Sequence, residues 1–166
     1  CRALVLAAGG VETPRLLLHN TLANSSGQVG RNFLAHPATQ VWGTFDTPQR
    51  SYRGYPSSLI TEDFLRPTDA DFAGGYLIQS LGVMPLTYAT SLVRGGGLWG
   101  DELMSALEAA RFTAGLGING ECLPSEDNLL ELSDEIDRFG VPRARVSFTA
   151  ADNEKALSRH AVAVMT

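Results

Sequence analysis

Hydrophobic and polar positions at the start of the chain predict one unit of a nucleotide-binding α/β fold. Residues 2–8 are apolar from Ala3 onward and end at a pair of glycines, and this short run predicts a strand buried on both faces, as in a parallel sheet. A helix is predicted next, because Thr13 is a favourable N-cap and Pro14 suits the first helical position. Strand, glycine turn and helix in this order are typical of nucleotide-binding domains.

The rest of the chain has the pattern of antiparallel strands with a few helices. Alternating hydrophobic and polar residues predict strands at residues 39–45, 74–82, 112–124, 129–132 and 144–148. The last two strands enclose a polar turn and are predicted to form a hairpin. A 3.6-residue period predicts a helix over residues 101–112. Polar stretches rich in glycine or proline predict loops at residues 20–37 and 47–72, and the length of the second loop is typical of a functional segment.

The C-terminal segment predicts a further helix. Thr149 and Asp152 have the spacing of a capping box, and the helix after them would bury Leu157, Ala161, Val164 and Met165. The first residues have the pattern of a parallel α/β domain, and the later residues have the pattern of an antiparallel sheet. The sequence therefore predicts an α+β chain that contributes to two domains.

Composition narrows the function classes. Hydrophobic residues make up 44% and charged residues 19% of the 166 residues, which is typical of a folded chain. The net charge is −5 and no basic run is present, so the sequence argues against a nucleic-acid partner. The longest apolar stretch is far shorter than the roughly 20 residues of a membrane span. Cys1 and Cys122 are too few for a disulfide framework and are interpreted as ordinary thiols, although a pairing between them stays open.

Two glycine-rich strings resemble phosphate-binding loops but lack the required context. Residues 95–100 follow a run at residues 91–93 that is interpreted as a brief strand, and they precede a helix. The strand is shorter than a phosphate loop requires, Trp99 is bulky in the turn, and Asp101 would place negative charge where a pyrophosphate binds. Residues 115–120 lead into another extended segment and are interpreted as a glycine-rich strand. Neither string is therefore predicted to bind phosphate.

Metal and hydrolase sites have little support in the sequence. The histidines are far apart, and none has a partner at ligand spacing. The acidic residues Asp134, Glu135 and Asp137 predict a solvated turn, and no G-x-S-x-G elbow is present. His36 could be catalytic, but a histidine that anchors its loop by hydrogen bonds is the more ordinary interpretation.

Four sequence motifs, taken together, are more specific than the patterns above. Residues 4–17 read L-V-L-A-A-G-G-V-E-T-P-R-L-L, and residues 26–37 read S-G-Q-V-G-R-N-F-L-A-H-P. Further on, residues 120–128 contain G-E-C-L-P and an asparagine, and residues 137–142 read D-R-F-G-V-P. In this order the segments resemble the glucose–methanol–choline (GMC) oxidoreductases, and more closely their gluconate, sorbitol and sugar dehydrogenase branch. Ala35 departs from the aspartate usual in that family, and residues 38–117 carry little that matches.

The resemblance implies an FAD-dependent oxidoreductase that oxidises the CH–OH group of a sugar, sugar acid, polyol or other alcohol. It implies that residues 1–37 form an edge of the FAD-binding domain with a flavin-side loop, and that residues 38–166 form the substrate-binding domain, a mainly antiparallel sheet with helices. Residues implied near FAD are Ala7, Ala8 and Gly9, with Gly30, Arg31, Asn32 and His36 in the flavin-side loop. Glu121 is implied on the substrate face of the sheet.

The resemblance also implies what lies outside this sequence. The family's phosphate-binding loop and its catalytic histidine correspond to segments before residue 1 and after Thr166, so no catalytic residue is predicted here; the spacing of the histidines and cysteines likewise predicts no metal site. The chain is expected to be an internal piece that is inactive and does not retain FAD alone. Expected partners are the alcohol or sugar, the rest of the polypeptide and an electron-acceptor protein; the compartment, cytoplasmic or periplasmic, is left open.

Two alternatives remain open at this point. The chain could be a stand-alone binding domain that keeps the fold without the chemistry. It could also be a nucleotide-dependent enzyme that uses residues 95–100, which requires a parallel strand–helix–strand unit around them.

Overall fold

A computed structural model describes residues 2–55, 57–82 and 84–166. Four α-helices and six strands follow each other along the described chain, with a short 3-10 helix at Ala110–Phe112. The helices are α1 (Gly9–His19), α2 (Pro85–Arg94), α3 (Gly100–Ala109) and α4 (Asp152–Met165). The strands are β1 (Gln40–Thr44), β2 (Ile60–Thr61), β3 (Tyr76–Leu81), β4 (Thr113–Gly120), β5 (Leu129–Ile136) and β6 (Pro142–Ser147).

The chain forms two compact units. The first combines the residues up to Ala35 with Cys122–Ala151, and the second combines His36–Glu121 with Asp152–Thr166. Every strand ladder among the described residues is antiparallel, so the predicted α+β class is confirmed.

The first unit consists of α1 packed on the hairpin of β5 and β6, which was predicted from the polar turn between them. Arg15 of α1 holds the hairpin turn: its Nε donates to the carbonyl of Pro142 at 2.7 Å and its Nη2 to Asp137 Oδ2 at 2.6 Å. Asp137 Oδ1 accepts from the backbone N–H groups of Phe139 and Val141. Of the three acidic residues interpreted as a solvated turn, Asp134 and Glu135 lie in β5, and Asp137 lies at the turn, where its carboxylate is hydrogen-bonded and not free in solvent.

Two predictions about the first residues need correction. Residues 2–8 pair with no strand among the described residues, and Val5 is 85% exposed, so the predicted buried strand is not formed within this chain. The helix begins at Gly9 and not after Thr13, so Pro14 lies inside it. Thr13 is not the N-cap; its Oγ1 accepts a hydrogen bond from the backbone N–H of Ala8 at 3.1 Å.

The second unit is built on a four-stranded sheet with the order β1-β4-β3-β2. The strands predicted at residues 39–45 and 74–82 correspond to β1 and β3, and the glycine-rich strand at residues 115–120 lies within β4. Helix α4 covers one face of this sheet and forms the core with it. That core consists of Tyr76, Ile78, Ile118, Leu157 and Ala161.

Helix α4 differs in detail from its prediction. It begins at Asp152, whereas the backbone of Thr149 is hydrogen-bonded at both N–H and C=O to the side chain of Asn128, so Thr149 does not begin the helix. Leu157 and Ala161 are fully buried as predicted, and Met165 packs against the core. Val164 is 40% exposed, so its predicted burial was wrong.

Candidate functional site

The segment Ala7–Gly9 leads directly into the N-terminus of α1 in the first unit. Gly9 has φ +83, a left-handed conformation that favours glycine, and apart from the adjacent backbone no described atom lies within 4 Å of where its Cβ would be. Small residues and open space at a helix N-terminus leave the backbone accessible to a ligand, and the helix dipole favours a negative group there. These residues therefore fit the polar portion of a nucleotide cofactor.

An open cavity of about 410 Å³ adjoins this segment, within the same unit. Ala8, Glu12, Arg15 and Asp137 are among its lining residues. The Arg15 hydrogen bond and those of two backbone N–H groups hold the pKa of Asp137 down at about 2, and Asp137 in turn raises the pKa of Arg15. Both groups keep their charges at neutral pH, and they fix α1 against the hairpin turn.

The loop with Gly30, Arg31 and Asn32 lies against strand β5. The carbonyl of Gly30 accepts from the backbone N–H of Leu130 at 2.6 Å, and a Cβ on Gly30 would collide with the Leu130 carbonyl oxygen. The backbone of Arg31 forms an isolated antiparallel β-bridge with Leu129. The Arg31 side chain donates from Nε to the Gly27 carbonyl. These contacts give Gly30 a packing function, whatever else the loop binds.

His36 and Glu121 come together at one end of the sheet in the second unit. The register of β1 and β4 continues past Gln40, as the hydrogen bond from Gly120 N–H to the Pro37 carbonyl shows, and this places His36 opposite Glu121. His36 Nδ1 lies 2.8 Å from the Gly120 carbonyl oxygen, the loop-anchoring contact that was the more ordinary interpretation. Glu121 Oε2 accepts from the Gly75 N–H at 3.0 Å, which aligns the ends of β3 and β4.

The sheet face opposite α4 carries polar residues that the sequence analysis did not single out. Paired residues of an antiparallel ladder point to the same face, and Gln40 and Gln79 both pair with Gly117. Two positions along β4, Asn119 shares this face. No sequence signal marks these amides, because their alignment depends on the register of strands that are distant in the chain.

The two glycine-rich strings have different structures. Residues 95–100 connect α2 to α3, and the segment interpreted as a brief strand before them, residues 91–93, is the end of α2. A phosphate loop of the dinucleotide type needs a strand on that side. The alternative of a nucleotide-dependent enzyme using residues 95–100 is therefore not supported by the fold.

His160 is bound to the core of the second unit. Its Nδ1 lies 2.8 Å from the hydroxyl of Tyr76, and both rings contact Phe64 and Phe72. Burial raises the pKa of Tyr76, which is 1% exposed. This arrangement gives His160 a hydrogen-bonding role in the packing of the core.

The described residues also bear on metal binding, membrane insertion and disulfide pairing. No group of three or more potential metal-ligating side chains converges within residues 2–55, 57–82 and 84–166. Across that same part of the chain, the helices are too short or too polar to cross a bilayer. Cys122 is a free thiol, and the open possibility of its pairing with Cys1 involves a residue outside the described part.

Comparisons with known proteins point to one class. No family model matches the chain. The chain is 32% identical over 165 residues to the fructose dehydrogenase large subunit of Gluconobacter japonicus, covering 91% of this chain and 29% of that protein. It is 29% identical over 177 residues to 2-methyl-1,2-propanediol dehydrogenase of Mycolicibacterium austroafricanum, covering 97% of this chain and 32% of that protein. An uncharacterized GMC-type oxidoreductase of Mycobacterium tuberculosis is 33% identical over 115 residues, which is 69% of this chain.

These relatives are oxidoreductases, and that is the class to which the motifs, the α+β fold and the matches assign the chain. Within that class, the chain belongs to the GMC oxidoreductase family. It spans about a third of the length of the first two relatives.

Proposed function

We propose that this chain is part of an FAD-dependent oxidoreductase that transfers a hydride from the CH–OH group of a sugar, sugar acid, polyol or other alcohol to flavin. The observation that carries the proposal is the segment Ala7–Gly9, where small residues with open space beside them precede the N-terminus of α1. The names of the relatives, a fructose dehydrogenase and a propanediol dehydrogenase, support the CH–OH chemistry.

The exposed residues 2–8 support a role for the rest of the polypeptide. Leu4 and Val5 are 74% and 85% exposed, although an apolar run of this kind is typical of a strand buried on both faces. Exposing such a run to water is unfavourable, at about 25 cal/mol for each Å² of apolar surface. We infer that neighbouring strands of an FAD-binding sheet, supplied by the remainder of the polypeptide, cover it.

The proposal assigns the two parts of the chain to the two domains of the enzyme. Residues 1–37 would form the edge of the FAD-binding domain and the flavin-side loop, and residues 38–166 would build the substrate-binding domain. The hairpin of β5 and β6 belongs to the same compact unit as α1, so it would support the FAD side by holding α1 through Arg15.

The residues of this chain would bind and orient and would not carry the proton transfer. When bound, FAD would supply the hydride acceptor. Ala7, Ala8 and Gly9 would approach the cofactor, with Gly30, Arg31, Asn32 and His36 beside it. Glu121 would lie at the substrate end of the sheet, with its Oε2 held by the Gly75 N–H at the ends of β3 and β4.

The proposed partners follow from the same chemistry. Besides the alcohol or sugar and the rest of the polypeptide, an electron-acceptor protein would reoxidise the flavin. One relative is named as a large subunit, which supports a multi-subunit arrangement.

The test is the flavin content of the full-length protein and of residues 1–166 alone. We expect the full-length protein to carry FAD, identified after release by chromatography, and to oxidise alcohols with an artificial acceptor. Residues 1–166 are expected to retain no FAD, because the proposed phosphate-binding loop lies outside them. A full-length protein without flavin would contradict the proposed function, and stoichiometric flavin on residues 1–166 would contradict the proposed dependence on the other segments.

A further inference from the structure

The proposed flavin-side loop is held along the start of β5 by main-chain hydrogen bonds. The Gly30 carbonyl accepts from the Leu130 N–H at 2.6 Å, and the Phe33 N–H donates to the Asn128 carbonyl at 2.8 Å. Asn32, between the two contacts, has φ +54, a left-handed conformation that asparagine adopts more readily than most residues. The position of the loop therefore depends on where the start of β5 lies.

The side chain of Asn128 connects the start of β5 to the segment that follows β6. Asn128 is 3% exposed, and its carboxamide binds both backbone groups of Thr149. Oδ1 accepts from the Thr149 N–H at 2.8 Å, and Nδ2 donates to the Thr149 carbonyl at 3.3 Å. The last pair of the β5–β6 ladder is Leu129 with Ser147, so the carboxamide extends the ladder in place of a further main-chain pair.

An aromatic contact joins the loop to the same segment. The rings of Phe33 and Phe148 pack edge to face, with centroids 6.2 Å apart and an angle of 75° between the planes. Phe33 is thus held through its N–H by Asn128 and through its ring by the residue before Thr149. Because both contacts converge on Phe33, a displacement of Asn128 would also displace the loop.

A second asparagine forms the same kind of clamp in the second unit. Asn153 Oδ1 accepts from the Ala73 N–H at 2.8 Å, and its Nδ2 donates to the Ala73 carbonyl at 3.2 Å. Neither Asn153 nor Ala73 is a candidate for binding FAD. This clamp therefore has the hydrogen-bonding chemistry of Asn128 without its proposed connection to the cofactor, which makes it a matched control.

We propose that Asn128 is a positioning residue for FAD, which fixes the flavin-side loop against the cofactor through Phe33. The inference rests on the proposed function, because that function assigns the loop to the flavin. Removing the carboxamide would leave the Thr149 N–H and carbonyl without these partners, and the start of β5 would lose its attachment to the segment after β6. The role of Asn128 is indirect and adds no chemical step.

Hydrogen exchange resolved to single amides in the full-length protein tests the connection. Asn128→Ala should accelerate exchange at Thr149, which loses its acceptor. It should also accelerate exchange at Phe33 roughly tenfold, the effect of about one lost hydrogen bond, although the main-chain acceptor of Phe33 is still present. Asn153→Ala should accelerate exchange at Ala73 and leave Phe33 within about twofold of the wild type.

The rate of FAD release measures the consequence for the cofactor. Asn128→Ala should release FAD roughly tenfold faster than the wild type, since weaker binding of a ligand is expressed mostly in its dissociation rate, whereas Asn153→Ala should stay within about twofold. The release is followed by the fluorescence of free flavin. If Asn128→Ala does not fold, Asn128→Asp and Asn153→Asp make the same comparison, because each keeps the acceptor of its clamp and loses the donor.

Two results would overturn the inference and leave the proposed function intact. One is an unchanged exchange rate at Phe33 in the Asn128 variants, since the clamp would then stabilise Thr149 alone. The other is equal rates of FAD release from the Asn128 and Asn153 variants. A full-length wild-type protein without flavin would overturn the proposed function and this inference with it, so the flavin content, measured first, distinguishes the failures.

Discussion

Replacing Gly30 by alanine should open the first unit locally, because this residue has two independent reasons to be glycine. Its φ of +84 is in the left-handed region, and a Cβ would collide with the carbonyl oxygen of Leu130. The same strand residue donates its N–H to the Gly30 carbonyl at 2.6 Å. Moving β5 away from the new methyl group would therefore break this hydrogen bond.

The magnitude follows from these two contributions. An alanine at positive φ costs about 1 kcal/mol, and losing the backbone hydrogen bond beside the largely buried Leu130 costs about 1–2 kcal/mol more. Gly27 is the matched control, since its φ is +69 and nothing lies within 4 Å of its Cβ position. Gly27→Ala should cost only the first contribution, about 1 kcal/mol.

Hydrogen exchange of the Leu130 amide in the full-length protein measures this local opening. Gly30→Ala should accelerate its exchange about a hundredfold, whereas Gly27→Ala should change it by tenfold at most, because each 1.4 kcal/mol is a factor of ten. Equal exchange rates in the two variants would refute the reasoning, since the contact with β5 would then contribute nothing.

Two further predictions concern stability. Leu157→Ala, at a position with 0% exposure, should lower the free energy of unfolding by about 3 kcal/mol in urea denaturation, whereas Val164→Ala, at 40% exposure on the same helix, should cost under about 1 kcal/mol; similar losses would argue against the packing of α4. Asp137 has a pKa of about 2, below its ordinary 3.8, so its pairing with Arg15 stabilises the fold above about pH 4 and is lost as the pH falls toward 2. The stability difference between the wild type and Asp137→Asn should therefore shrink over that window, and a difference independent of pH would contradict the ion pair.

Local patterns predicted those parts of the fold that local burial determines. Alternation located β1, β3 and β4, and the polar turn located the hairpin. Helix α2 was missed because none of its residues is buried and residues 91–93, near its end, were interpreted as a brief strand. Pro85 at its first turn was a signal that would have located it, since proline is favoured there.

The contacts that join distant segments could not be predicted from local patterns. Arg15 meets Asp137 across 122 residues of sequence, and the pairing of Gln79 with Gly117 depends on the register of β3 and β4. A shift of β3 by one residue in that register would turn Gln79 toward α4. For residues 2–8, in contrast, the local pattern predicts a buried strand, but no described residue pairs with it.

The most direct test of the proposed function is anaerobic reduction of the flavin in the full-length protein by an alcohol. A neutral polyol should bleach the flavin absorption, and the same polyol deuterated at the oxidised carbon should bleach it more slowly, because the C–H bond is broken as the hydride leaves. A protein without flavin absorption, or with flavin that no alcohol reduces, would contradict the proposal.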